Sequence, residues 1–300
     1  MSRREMVRRA IYLTGGTASA ATALLSVGCA PMPTPTAIPP TATPVPPTAT
    51  PAAAAAPSGP RSPLSVAEGD PAIEAQKVEF DGEVGKVFGY LARPKTGGPF
   101  PGLIVIHENR GLVPHIQDVT RRAGKAGYVA PAVDLLSRNG GTDRVTDPAQ
   151  VSGMLGQAWP EDLVADLNAG IKFLKTQPSV RQDRIGALGF CFGGGYTLRL
   201  ATANKEVRAA APFYGPNPPL ESIPNTEAAI LAIYGETDSR INTGIPQVEA
   251  ALKSANRTFE LKIYPGVNHA FHNDTGAAWN EAAALDAWAK INDWFKKRLA

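Results

Sequence analysis

Cysteine is nearly missing from this chain: Cys29 and Cys191 are the two in 300 residues. Histidine is scarce too, with four, at positions 107, 115, 269 and 272. No His-Glu-x-x-His, no Cys/His cluster and no Gly-x-Gly-x-x-Gly after a strand occurs, so no metal and no organic cofactor is implied. Excess charge is lacking as well. The first nine residues, "MSRREMVRR", carry four Arg and one Glu, which accounts for the whole formal +3. The remainder is close to neutral, which argues against electrostatic binding to nucleic acid. No internal repeat is found, and 300 residues suffice for one large domain with a sizeable core.

What is present at the start reads as an export signal: a basic stretch, the weakly apolar "AIYLTGGTASAATALLSV", then "GCAP". Ser2-Arg3-Arg4 followed by Met6 and Val7 resembles a twin-arginine signal, which implies export in the folded state. "LLSVGC" resembles a bacterial lipoprotein box with Ser26 where Leu is usual. Residues 1–28 are therefore expected to be a signal and Cys29 a lipidation site, placing the protein outside the cytoplasm on a membrane surface. A plain signal or a retained apolar anchor is the alternative. With Cys29 lipidated, Cys191 has no disulfide partner.

Residues 29–60 are almost entirely Pro, Thr and Ala and cannot bury a core, so they read as a semi-rigid linker. The folded domain is expected over 61–300. Eight short apolar runs predict strands at Gln76–Phe80, Gly85–Leu91, Gly102–Ile106, Tyr128–Val133, Arg184–Gly189, Val207–Tyr214, Ala228–Tyr234 and Phe259–Tyr264. Leu163, Leu167, Ile171 and Leu174 share one helical face. Leu285, Trp288, Asn292 and Phe295 suggest another, interrupted by Asn292. Two hairpin-like strands followed by strand–helix units predict an α/β fold, a mostly parallel, doubly wound sheet with helices on both faces.

"RIGALGFCFGGGYT" carries the sharpest signal. A buried strand ends at Gly189, a helix begins beyond Phe192, and Cys191 sits between in a G-x-C-x-G version of the nucleophile elbow. Glycines two before and two after leave room for the crossing chain. The thiol is then held above the sheet at a helix N-terminus, which favours an anion. A nucleophile needs a base, and the base an orienting acid. His269 and Asp238 each follow a strand, at the edge where open α/β sheets bind ligands. Cys191, Asp238, His269 is the nucleophile–acid–histidine order of this fold. His272 competes as the base but lies further along its loop.

Together, Cys191 in "GFCFGG", Asp238 in "GETD", His269 in "NHAF" and His107-Glu108 in "IVIHENRG" resemble the dienelactone hydrolases, from about Val78 to Leu299. The resemblance implies an α/β-hydrolase fold with a Cys-His-Asp triad. It gives Glu108 the task of holding the resting thiol away from the histidine until substrate arrives. It places the oxyanion hole at the backbone N–H groups of Phe192 and Asn109. Where studied relatives hold a substrate-binding arginine four residues after the histidine, this chain has Asn273. The second arginine of that clamp finds no match, Arg144 being near but not aligned. Dienelactone itself is therefore doubtful as substrate, and Asn273 and Tyr214 stand as candidate substrate contacts. The expectation is a monomeric, cofactor-free hydrolase of a small ester or lactone. A broad carboxylesterase or thioesterase, and a non-catalytic surface binding module on the same fold, are the rivals.

Overall fold

Two stretches of β-branched and aromatic residues open the folded part of the chain. β1 (Ile73–Gly82) and β2 (Gly85–Pro94) pair antiparallel, with Gly82 opposite Gly85 across a two-residue turn. The computed structural model describes residues 61–300; the segments expected to be an export signal and a linker, with Cys29, lie outside the described residues. β3 (Phe100–Ile106), β4 (Ala130–Val133), β5 (Val180–Phe190), β6 (Val207–Phe213), β7 (Ala229–Gly235) and β8 (Phe259–Tyr264) complete the sheet. Its order is β1-β2-β4-β3-β5-β6-β7-β8, antiparallel at the first two pairings and parallel thereafter. All eight expected strands are present. β1, β2, β3 and β5 run longer than expected, β6, β7 and β8 match to within a residue, and β4 starts at Ala130, two residues late, where Val129 makes only an isolated bridge to Gly102.

Strand alternation sorts the core into two layers. Leu103 and Val105 point to the face covered by α1 (Pro114–Lys125) and α7 (Glu281–Leu299). Ile104 and Ile106 point to the opposite face, beneath α3 (Pro160–Lys175), α4 (Phe192–Ala203) and α6 (Ile245–Ser254). Two short helices, α2 (Val151–Gln157) and α5 (Ser239–Asn242), lie in connections. Each fully buried aliphatic or aromatic side chain contributes about 1.5–3 kcal/mol. Dozens of them on the two faces far outweigh the strain at a few loop residues.

The α3 stripe is as expected, with Leu163, Leu167, Ile171 and Leu174 buried. In α7 the apolar face is rotated from the expected one and runs through Ala284, Trp288, Ile291 and Phe295. Asn292 lies beside it, its Nδ2 donating to the Trp288 carbonyl at 2.8 Å. The stripe is thus continuous, and Asn292 does not interrupt it.

Four connections that leave carboxyl ends of parallel strands matter most. Glu108 follows β3, Cys191 follows β5, Asp238 follows β7, and His269 follows β8. Parallel pairing brings all four to one edge of the sheet.

Candidate active site

Cys191 occupies the turn between β5 and α4 with φ 55° and ψ −117°. Such a backbone costs about 1–3 kcal/mol and persists where its surroundings fix it. Here the fixing contacts are the Cys191 N–H donating to the Phe213 carbonyl at 3.0 Å and two glycines. A Cβ on Gly189 would fall on the Gly193 carbonyl and the Thr197 hydroxyl. One on Gly193 would fall on the carbonyls of Ile106 and His107. The bare glycines let α4 start directly against the end of β3.

Asp238 is buried, and its Oδ2 accepts from His269 Nδ1 at 2.5 Å. Its other oxygen accepts from the Ile241 N–H, at the start of α5. That donation leaves His269 Nε2 as the ring's free position, buried and without a hydrogen-bond partner among the described residues. The Tyr214 ring packs on the imidazole with centroids 4.9 Å apart. His272, the competing base, is 1 % exposed and stacks on Phe190 in the core. Burial pushes its imidazole well below the ordinary range and neighbouring Arg122 adds to this, so it is neutral and walled off.

The Cys191 thiol is pushed above its ordinary value, first by burial and then by the nearby Glu108 carboxylate. The backbone N–H groups of Phe192 and Asn109 address the sulfur and pull the other way, as does Arg240. Burial and the carboxylate prevail, so the resting group is a thiol. Glu108 is itself 5 % exposed. Its Oε2 accepts from Asn273 Nδ2 at 2.6 Å, while its Oε1 is buried with no partner among the described residues. Asn273 is oriented in turn by its Oδ1, which accepts from the N–H and hydroxyl of Thr275.

His107 supports this corner. The Leu135 N–H donates to its Nε2 at 3.0 Å, so the ring proton is on Nδ1, which donates to the Glu108 carbonyl at 2.6 Å. Burial keeps the imidazole neutral. Sequence reasoning gave His107 no task. Its signal was adjacency to Glu108.

These groups open into a cavity of about 850 Å³. Cys191, His269, Glu108, Asn109 and Asn273 line one part, with Val113, Pro114, Ala270 and Ala277 forming apolar wall. Tyr214 does not line it: the side chain is 1 % exposed and packs against His269, Phe190, Phe213 and Phe271. The structure places it as a packing partner of the histidine, outside the cavity lining. Position 273 contributes no cation, yet the cavity is not without them. Arg110 and Arg240 both line it, and neither guanidinium has an ion-pair partner among the described residues. Sequence reasoning missed both: Arg110 lies on an exposed turn and Arg240 in the four-residue helix α5, also exposed. Among the described residues no group of three or more His, Cys, Asp or Glu side chains could hold a metal ion.

Comparison with known proteins agrees with this geometry. The profile of the Dienelactone hydrolase family matches residues 87–299. A protein of Methylorubrum extorquens AM1 that carries the name carboxymethylenebutenolidase is 32% identical over 235 residues, 74% of this chain and 81% of the relative. A Bradyrhizobium protein that carries the name 2-oxo-3-(5-oxofuran-2-ylidene)propanoate lactonase is 32% identical over 211 residues, 66% of this chain and 84% of its own. Among solved structures, a Klebsiella pneumoniae protein titled as a dienelactone hydrolase superimposes with a TM-score of 0.70 at 29% identity, covering 75% of this chain and 99% of that one. The elbow, the strand-end placement of Asp238 and His269, and these matches agree: this chain belongs to the dienelactone hydrolase family, ester hydrolases of the α/β-hydrolase fold.

Proposed function

We propose that the protein is an exported, lipid-anchored hydrolase that cleaves a small ester or lactone through a Cys191 acyl-enzyme. The observation that carries the reading is the hydrogen bond from His269 Nδ1 to Asp238 beside a cavity into which Cys191 also opens. Substrate binding near Glu108 displaces that carboxylate from the thiol. His269 Nε2 takes the thiol proton, and Asp238 stabilises the imidazolium that results. The sulfur attacks the ester carbonyl, whose oxygen becomes an oxyanion received by the Phe192 and Asn109 N–H groups. Each such donor is worth about 3 kcal/mol in the transition state. Collapse expels the alkoxide, which takes the proton from His269. Water, deprotonated by the same imidazole, then adds to the thioester carbonyl; collapse breaks the C–S bond and frees the acid, and the leaving Cys191 sulfur takes the proton back from His269.

Arg110 and Arg240 favour a substrate bearing a carboxylate, and the lactonase and butenolidase names of the relatives fit that choice. The anchor rests on the twin-arginine-like start and on Cys29 in "LLSVGC".

The test compares the full chain with Cys191→Ala on p-nitrophenyl acetate and on dienelactone. Turnover by the wild type and none by the variant supports the reading. Equal inactivity of both across a wider ester panel removes it and favours a binding module. Metabolic labelling with palmitate, with Cys29→Ala as control, tests the anchor: no label on the wild type refutes it.

A further inference from the structure

The loop that carries His269 is pinned from outside itself. It joins β8 to α7, and its Ala270 holds a left-handed φ of 61°. Five residues after His269 comes Asp274, which is fully buried. The Ser62 N–H donates to Asp274 Oδ2 at 2.9 Å, and Arg122 Nη2 donates to the same oxygen at 2.8 Å. His115 Nδ1 lies 3.0 Å from the other carboxylate oxygen. Arg61 clasps the loop backbone: its Nε donates to the Asp274 carbonyl at 2.8 Å and its Nη2 to the Gly276 carbonyl. The same guanidinium lies 4.7 Å over the Trp279 ring.

From there the segment runs along α1. The Val66 N–H donates to Asp118 Oδ1 at 2.7 Å, and Arg121 Nε donates to the Val66 carbonyl at 2.6 Å. Arg122 completes the clasp by bridging Asp118 and Asp274. Two buried carboxylates and two buried guanidiniums thus join three segments far apart in sequence. Burial alone would raise the Asp274 carboxyl, but His115, Arg122 and the Ser62 N–H hold it below the usual carboxylate range. Breaking such a network on one side leaves a buried charge without its partner.

We propose that Arg61–Val66 is a strap that positions the His269 loop and shapes the substrate cavity. Asp274 stands between Asn273, the partner of Glu108, and Thr275, Gly276, Ala277 and Ala278, all of which line the cavity. Fixing Asp274 and Gly276 therefore fixes one cavity wall and the residue that holds Glu108. Arg61 and Asp274 are positioning residues in this scheme, acting through the loop. The proposal rests on the hydrolase reading for its kinetic consequence and on geometry alone for its structural one.

The experiment uses the full chain and its Arg61→Ala and Asp274→Asn variants. Amide hydrogen exchange is followed over 269–278, and kcat and KM are measured separately on p-nitrophenyl acetate and p-nitrophenyl butyrate. For Arg61→Ala the strap predicts exchange faster by about tenfold, confined to the loop. It also predicts a KM for butyrate raised roughly threefold or more, with kcat for acetate changed less than about twofold. Asp274→Asn exceeds both effects; should it fail to fold, the exposed Arg61 still decides. Unchanged loop exchange in Arg61→Ala overturns the strap, as does faster exchange with identical KM values for both esters. A wild type that hydrolyses neither ester defeats the hydrolase reading instead, and loop exchange then judges the strap by itself.

Discussion

His107 Nδ1 donates to the Glu108 carbonyl at 2.6 Å, and that carbonyl shares a peptide plane with the Asn109 N–H that addresses the Cys191 sulfur. In a trans peptide the C=O and N–H point in opposite directions. Holding the oxygen on the His107 side therefore aims the N–H at the reacting carbon's oxygen. Asn can present an amide N–H near the position of Nδ1, whereas Leu cannot. Both replacements leave the Leu135 N–H without its acceptor, at a shared cost of about 1–3 kcal/mol. His107→Leu is expected to lose about tenfold or more in kcat relative to His107→Asn, at similar KM and melting temperature. Equal kcat for the two would show that His107 only packs.

The Glu108 carboxylate is the second cause, after burial, of the raised Cys191 thiol. A raised value means that the thiolate fraction at neutral pH is smaller than for an ordinary cysteine, and that reactivity climbs as pH rises through the shifted value. Iodoacetamide should accordingly label Cys191 slowly at pH 7 and faster with increasing pH. Glu108→Gln should move that rise to lower pH, though not below the ordinary value while burial persists. A profile that Glu108→Gln leaves in place would remove the carboxylate from the control of the thiol.

Much of this was legible in the sequence because local constraints carry it. An elbow needs Gly189 and Gly193 two residues either side of Cys191, and parallel strands with apolar runs announce themselves. The buried ionic clasp was not legible. Asp118, Arg121 and Arg122 sit on α1 in "QDVTRRAGK", a pattern that reads as a solvated helix face. They are buried because the strap, more than fifty residues earlier, covers that face. Arg110 and Arg240 escaped for the converse reason: a lone arginine on a turn or in a single-turn helix carries no period. Tyr214 stands at the carboxyl end of β6, where the sequence alone does not tell a cavity-facing ring from one packed into the core as this one is.

Those two arginines make a prediction about charge. Both are exposed, so each contributes modestly and is screened by salt. Arg240→Ala combined with Arg110→Ala is expected to raise KM for an anionic lactone by about tenfold and leave KM for neutral p-nitrophenyl acetate within about twofold. The difference should shrink in high salt. Equal effects on both substrates would mean that the arginines do not read the substrate's charge.

Asp274 makes a prediction about acid. Its carboxyl is held low in the folded state, so its contribution is fully present above the unfolded value of about 3.9. It is lost as pH falls below that value toward the folded one. Urea midpoints of the full chain should therefore drop progressively as pH falls below about 4, and Asp274→Asn, already weaker at pH 7, should drop less steeply. Parallel slopes for the two proteins would place the acid sensitivity elsewhere.

Two glycines set opposite limits on substitution. Gly153 is exposed within α2, and a Cβ there meets no atom within 4 Å. Gly153→Ala should raise stability by about 0.5–1 kcal/mol through the lower entropy of the unfolded chain. At Gly193 the added Cβ would meet backbone carbonyls of Ile106 and His107, which cannot swing aside as a side chain can. Gly193→Ala must push α4 away from β3, and with it the Phe192 N–H from the Asn109 N–H. The expected outcome is a loss of several kcal/mol in stability, on the order of that for overpacked cores. In whatever fraction folds, Cys191 alkylation should persist without ester turnover. Measured by urea melts, a Gly193→Ala protein as stable and as active as wild type would show that the elbow tolerates a separation its geometry denies.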